Sequence, residues 1–230
     1  MSSDIIVEAK NLKKIYLQGS IEVPALRGLD LQLERGAFAA IAGSSGSGKT
    51  TLLNLVGGLD RPTAGEITID GQGLSSLSGK KLADLRLRRI GFVFQAYNLL
   101  PILSAYENAE YVLLLQGVDP AERRKRVMDL LAAVGLEGLE NRRPSELSGG
   151  QQQRVAVARA IAAEPALVLA DEPTANLDSK TGTELIELMR NLNRDRGVTF
   201  LISSHDPKVI DRVDRVIRLE DGQIVEKLAA

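Results

Sequence analysis

Residues 38–51 read Phe-Ala-Ala-Ile-Ala-Gly-Ser-Ser-Gly-Ser-Gly-Lys-Thr-Thr. The run Phe38–Ala42 is continuously apolar, which suits a strand buried on both faces, as in a parallel sheet. Gly43, Ser44, Ser45, Gly46, Ser47, Gly48, Lys49 and Thr50 then fit G-x-x-x-x-G-K-[ST] in full. Thr50–Val56 reads as a short helix, stopped by Gly57, Gly58 and Pro62. A buried strand, a glycine-rich turn and a helix N-terminus together make a phosphate cradle. The glycines let successive backbone N–H groups converge on anionic oxygens, and the helix end adds its positive dipole. Lys49 is placed to reach the outer phosphates as a mobile point charge, and the Thr50 hydroxyl to ligate Mg²⁺.

Such a site needs an acidic partner for the metal. Leu167–Ala170 is a second continuous apolar run and ends in Asp171-Glu172. Open α/β sheets place ligands at the C-terminal ends of their strands. Asp171 is therefore read as holding Mg²⁺, and Glu172 as polarising an attacking water. A second glycine pair, in Leu147-Ser148-Gly149-Gly150-Gln151, opens a helix and forms a further anion site. One nucleotide does not need two cradles from one chain, so two facing the same phosphate should come from different subunits.

Outward from these motifs, β and α signals alternate. Ile5–Ala9, Leu29–Leu33 and Glu66–Asp70 alternate apolar with polar residues, and Ile90–Phe94 is a short apolar strand. Ser78–Arg89 is basic and helical in pattern, and Ser104 to Ala163 is mainly helical. Within that stretch Val127, Leu130, Leu131 and Val134 form one apolar stripe that Gly135 is placed to end. Leu185, Leu188, Met189 and Leu192 mark another helix, Val198–Ser203 another buried strand. Arg215–Glu220 pairs with Gln223–Glu226 across the hairpin turn Asp221-Gly222.

Composition narrows the chemistry. With 29 Lys+Arg against 30 Asp+Glu the net charge is −1, which argues against nucleic-acid binding through a broad positive field. There is no cysteine and a single histidine, His205, so thiolate catalysis and histidine-rich metal sites are excluded. Only four Phe and four Tyr are present, too few for a platform that stacks single strands. Met1–Asp4 has no basic leader, and no apolar run approaches the roughly 20 residues of a membrane span. The expected location is the cytoplasm, or the cytoplasmic face of the membrane through a partner.

The order of the phosphate loop, Gln95 after Phe92-Val93-Phe94, Leu147–Gln151, Asp171-Glu172, Leu177-Asp178 and His205-Asp206 resembles the ATP-binding-cassette ATPases over essentially the whole chain. The resemblance implies an α/β fold: a P-loop NTPase (RecA-like) core with an N-terminal antiparallel β subdomain and an inserted α-helical subdomain. The core would span 1–95 and 164–230, the insertion 96–163. It implies ATP and Mg²⁺ as cofactors, held in a head-to-tail dimer between the phosphate loop of one copy and Ser148–Gln151 of the other.

Position by position, Tyr16 resembles the aromatic that stacks on adenine, although packing would also explain it, and Thr51 continues the nucleotide-binding segment. Gln95 resembles the loop glutamine that contacts Mg²⁺ and the water and joins the insertion to the core. Asp178 resembles the residue that communicates across the dimer. His205 resembles the switch histidine that contacts the γ-phosphate and positions Glu172. Ser203-Ser204 stands where relatives often have Val-Thr, a departure expected to leave the chemistry unaltered. The intact motifs imply an active hydrolase, with Lys49, Gln95, Glu172 and His205 as its catalytic set.

Transport would require a separate permease, contacted near Gln95–Ser104, where Tyr97, Leu99, Leu100 and Pro101 fit either a docking groove or the core of the insertion. Gly57–Asp60, Arg143–Glu146 and Ala175–Asp178 are similar to the LolD/MacB group, which drives lipoprotein release or peptide and drug efflux. A regulator of cell-wall hydrolysis similar to FtsE, a solute importer ATPase, and a soluble cassette ATPase acting on nucleic acid or ribosomes are the alternatives. From the short stretch after Glu226 the regulatory domain of some importers is not expected, and with one cassette and no basic extension a role on nucleic acid or ribosomes is not expected either.

Overall fold

The computed structural model describes residues 4–229, so the leader reading at Met1–Ser3 lies outside the described residues. In chain order the elements are β1 (Ile5–Gln18), β2 (Ile21–Glu34), β3 (Phe38–Ala42), α1 (Lys49–Val56), β4 (Ala64–Ile69), β5 (Gln72–Gly73), α2 (Gly79–Arg89) and β6 (Ile90–Val93). They continue with α3 (Ala105–Leu115), α4 (Pro120–Ala133), α5 (Gly149–Ala162), β7 (Leu167–Asp171), α6 (Ser179–Arg196), β8 (Thr199–Ser204), α7 (Pro207–Ile210), β9 (Arg215–Glu220) and β10 (Gln223–Ala229).

Two sheets organise the chain. An antiparallel sheet runs β2-β1-β4-β5, and a second sheet runs β10-β9-β3-β8-β7-β6. In the second, β9, β3, β8, β7 and β6 are parallel to their neighbours, and β10 pairs antiparallel with β9. The expected α/β class is therefore observed. The first two strands are longer than their alternation shows: Ile5–Ala9 and Leu29–Leu33 are only the regular ends of a hairpin of two 14-residue strands. Register shifts between Ala9 and Lys13 break the period-2 pattern there, with Asn11 left-handed at φ 46° opposite Gly28, at φ 95° within β2. Alternation cannot be read through a bulge, because each extra residue moves the following side chains to the other face.

Every residue of β3 is buried, and the strand feeds two cores. Phe38, Ala40 and Ala42 face a cluster shared with β7, β8, α5, α6 and the stripe Val127, Leu130, Leu131 and Val134 of α4. Ala39 and Ile41 face the other side, where Leu52, Leu55 and Val56 of α1 pack between the two sheets. Phe38 and Phe200 meet edge to face across β3 and β8 at 5.5 Å. The helical segment thus closes against one face of the parallel sheet and α1 against the other. Gly135, at φ 73°, ends the α4 stripe as its sequence position implied.

Close backbone approach seats α5 on the sheet edge. A Cβ on Gly91 of β6 would collide with the carbonyl oxygen of Ala160. Gly91→Ala should therefore push β6 from α5 and lower stability by about 1–3 kcal/mol, the cost of overpacking, read as a shift of the urea midpoint.

Candidate functional site

The parallel register brings three strand ends together. Ile41 pairs with Ser203 and Ala42 with Ser204, while Asp171 pairs with Ser203 on the other side. The turn after β3, the acids at the end of β7 and His205 just beyond β8 therefore share one edge. Between them lies a cavity of about 420 Å³ whose lining includes Ala25, Ser45, Gly46, Gly48, Lys49, Thr50, Thr51, Gln95, Glu172, Ala175 and His205. Residues distant in sequence, and singled out for the same chemistry, converge there.

The turn itself depends on its glycines. Gly46 and Gly48 adopt φ values of 80° and 106°, and Gly48 is the N-cap of α1. A Cβ on Gly43 would collide with the Leu219 carbonyl oxygen of β9. Lys49 is buried, and its ammonium donates to the carbonyls of Gly43 and Ser44 at 2.8 and 3.0 Å. It also stands 3.7 Å from Glu172 Oε1.

The acids are held individually. Asp171 Oδ1 accepts from Thr50 Oγ1 at 3.2 Å and from Ser203 Oγ at 2.5 Å. Glu172 sits at φ 44°, a left-handed conformation uncommon for a residue with a Cβ. Its N–H donates to the carbonyl and hydroxyl oxygens of Ser203 at 3.1 and 3.2 Å, which fixes that conformation. Glu172 Oε1 lies 2.9 Å from His205 Nδ1. A carboxylate can only accept, so in this contact the imidazole donates from Nδ1.

Ser203 is thus a site residue that sequence reading passed over: the departure at this position was expected to be without consequence. Fully buried, it ties the Asp171 carboxylate to the Glu172 backbone. Only the pairing of β8 with β7 reveals this, since 31 residues separate Ser203 from Glu172. Ala25 and Ala175 also line the cavity without any signal in their side chains.

Other residues named from the sequence stand at the margins. Tyr16 is not a lining residue, but its phenol reaches Thr51 and donates to Asp60 Oδ2 at 3.0 Å. Burial, reinforced by the Asp60 carboxylate, pushes the phenol above the ordinary tyrosine range against the hydrogen bond with Thr51. One face of the ring carries the Lys14 ammonium, 4.8 Å from its centroid. Asp178 is the N-cap of α6 and accepts from Lys180 N, Thr181 N and Thr181 Oγ1. The Thr181 hydroxyl and backbone hold its carboxyl below the usual range. Ser148 and Gln151 form a reciprocal capping box at the start of α5, and neither they nor Gly149 and Gly150 line the cavity.

Fold and site together define a P-loop nucleoside-triphosphatase. The ABC transporter family matches residues 26–175. An uncharacterized ABC transporter ATP-binding protein of Thermotoga maritima is 47% identical over 219 residues, 95% of this chain and 93% of that protein. A dimeric post-hydrolysis structure of the ATP-binding cassette MJ0796 bound to ADP and Pi superposes with a TM-score of 0.90 at 43% identity, covering 97% of this chain and 98% of the other. The structure of cbiO1 from Clostridium perfringens, part of the cbiONQ transporter complex, does so at 0.87 and 31% identity, covering 97% and 88%. The chain belongs to the ABC transporter family, and it is an ATPase of the ATP-binding-cassette kind.

Lys49→Ala should remove the one cation inside the cradle and weaken ATP binding by about tenfold or more, measured by titration with a fluorescent nucleotide.

Proposed function

We propose that the chain is the ATP-hydrolysing subunit of a transporter whose permease is a separate polypeptide, and that two copies close head to tail around two ATP. The contact between Glu172 and His205, 2.9 Å apart on the rim of a cavity floored by Lys49, carries the catalytic part of this reading. Glu172 accepts the proton of the attacking water, and His205 holds the carboxylate and faces the γ-phosphate. Gln95 enters the same cavity from the loop after β6 and orients the water. The phosphates lie on the N–H groups of 43–51, with Tyr16 beside the adenine.

The donor set also fits Mg²⁺, which prefers hard oxygen ligands and substrate phosphates to an all-protein cage. Thr50 Oγ1 and Asp171 Oδ1 are 3.2 Å apart, and Gln95 lines the same space. Among the described residues no cluster of three or more His, Cys, Asp or Glu could hold a metal, in keeping with an ion shared with the nucleotide. When bound, the ion would neutralise charge on the transferred phosphoryl group.

The position of Ser148–Gln151 supports the dimer. This glycine-rich helix start lies outside its own chain's cavity, so its N–H groups are available to the nucleotide of a second copy. Asp178 would lie at the same junction. The dimeric structures of MJ0796 and the membership of cbiO1 in the cbiONQ complex lend weight to self-association and to a membrane partner. Among the described residues no helix is long and apolar enough to cross a membrane.

An apolar groove of about 340 Å³, lined in part by Leu59, Phe92, Phe94 and Val112, adjoins the segment Gln95–Ser104, and Leu100 and Ile102 are exposed beside it. It is the docking place we assign to the permease, with 96–163 as the helical unit that moves against the core. The motifs at Gly57–Asp60, Arg143–Glu146 and Ala175–Asp178 favour a permease of the LolD/MacB type and a seat on the cytoplasmic face of the membrane.

Glu172→Gln should preserve ATP binding, reduce turnover by about a thousandfold and accumulate an ATP-dependent dimer. Light scattering with and without ATP, beside a phosphate-release assay, reads both effects. Turnover near the wild-type rate would remove Glu172 as the base, and a persistent monomer would remove the shared site.

A further inference from the structure

The loop that delivers Gln95 to the cavity contains two consecutive left-handed residues, Tyr97 at φ 60° and Asn98 at φ 51°. Side chains with a Cβ rarely adopt this conformation, and it persists only where the surroundings over-determine it. Here they do so through carbonyl groups. The Phe94 carbonyl accepts from Tyr97 N at 3.1 Å and from Gln153 Nε2 at 3.3 Å. The Gln95 carbonyl accepts from Asn176 Nδ2 at 3.0 Å, and that of Ala96 from Asn98 N at 2.6 Å. The carbonyls of Tyr97 and Asn98 both accept from one guanidinium, that of Arg159, at 2.9 and 2.5 Å.

Arg159 lies on α5, the helix that begins with Ser148–Gln151. Ordinarily a half-buried arginine pairs with a carboxylate, yet its hydrogen bonds here go to two backbone oxygens. Desolvation alone shifts this guanidinium, downward, and no acidic neighbour opposes it. The planar fork suits the task, because two carbonyls turned the same way by successive left-handed residues can be met by one rigid group. At its other end α5 touches the same loop: a Cβ on Gly149 would come within 2.8 Å of Tyr97 Oη. Between these points Gln153, fully buried, bridges Phe94 to Pro173 just beyond Glu172, the second contact at 2.8 Å.

We propose that Arg159 is a positioning residue for ATP hydrolysis: by gripping the Tyr97 and Asn98 carbonyls it fastens the Gln95 loop to α5. The position of Gln95 is thereby coupled to the helix that begins at Ser148–Gln151. Arg159 touches neither nucleotide nor water and acts through Gln95. It also lines the apolar groove beside the loop, so that a partner seated there would meet the grip directly. This inference rests on the ATPase reading of the site and on the role given there to Gln95.

The test is a double-mutant cycle on the full chain with a second, non-catalytic readout. Arg159→Met keeps the apolar stem and removes every donor, and should lower kcat about tenfold or more with KM for ATP within about twofold. In a Gln95→Ala background the same substitution should cost nothing further, because the group it positions is gone. Chymotrypsin should cleave the 96–103 loop about tenfold faster in Arg159→Met, as the loop opens locally. Arg159→Lys, which retains charge but not the fork, should fall between and serves the same cycle should the methionine variant fail to fold. Additive losses in the Gln95→Ala background, or a rise in KM at constant kcat, would overturn the proposal. So would unchanged loop cleavage, whatever the ATPase result. An inactive wild type would strike the ATPase reading alone, leaving cleavage to judge the grip.

Discussion

The parallel register of β3, β8 and β7 is the constraint on which the site depends. Parallel strands end on the same side of a sheet, and here the pairings of Ile41 with Ser203 and of Asp171 with Ser203 bring three such ends into line. The register is itself held by burial on two faces. Phe38 and Phe200 enter one core while Ala39, Ile41 and Leu201 enter the other. A slip by one residue would exchange the two sets of side chains between the two cores. Geometry at this edge of the sheet is thus fixed by apolar packing several residues away.

At that edge, polar groups with few degrees of freedom are clamped by neighbours of opposite hydrogen-bonding character. Ser203 donates to Asp171 and accepts from the Glu172 N–H, so one hydroxyl aims a carboxylate and stabilises a left-handed backbone. Lys49 is met by carbonyl oxygens from its own loop, an arrangement a phosphate could replace because both offer acceptors to the same ammonium. The Gln95 loop is secured in the same manner, through carbonyls that accept from Asn176, Gln153 and Arg159. The left-handed conformations of Glu172, Tyr97 and Asn98 are sustained by hydrogen bonds with neighbouring elements, as preorganised sites require.

Much of this was legible in the chain itself. Strand–turn–helix order, the glycine spacing of 43–50, the two acids ending β7 and the lone His205 after β8 each carry a local pattern, and the cavity lining contains Lys49, Thr50, Gln95, Glu172 and His205. The long β1–β2 hairpin was legible only at its regular ends, because bulges at Asn11 and Gly28 interrupt alternation. Gln153 and Arg159 were hidden inside an alanine-rich helix, where an arginine ordinarily reads as a solvated face.

Local sequence determined which groups could bind phosphate and activate water, since backbone N–H density, one lysine and two carboxylates are properties of short segments. Tertiary structure alone decided that Ser203 would orient Asp171 and Glu172, and that Arg159 would hold the loop of Gln95. The reason is physical. A hydrogen bond across 31 or 62 residues exists only once sheet register and helix packing have brought donor and acceptor within 3 Å or so. No periodicity in the chain encodes that distance.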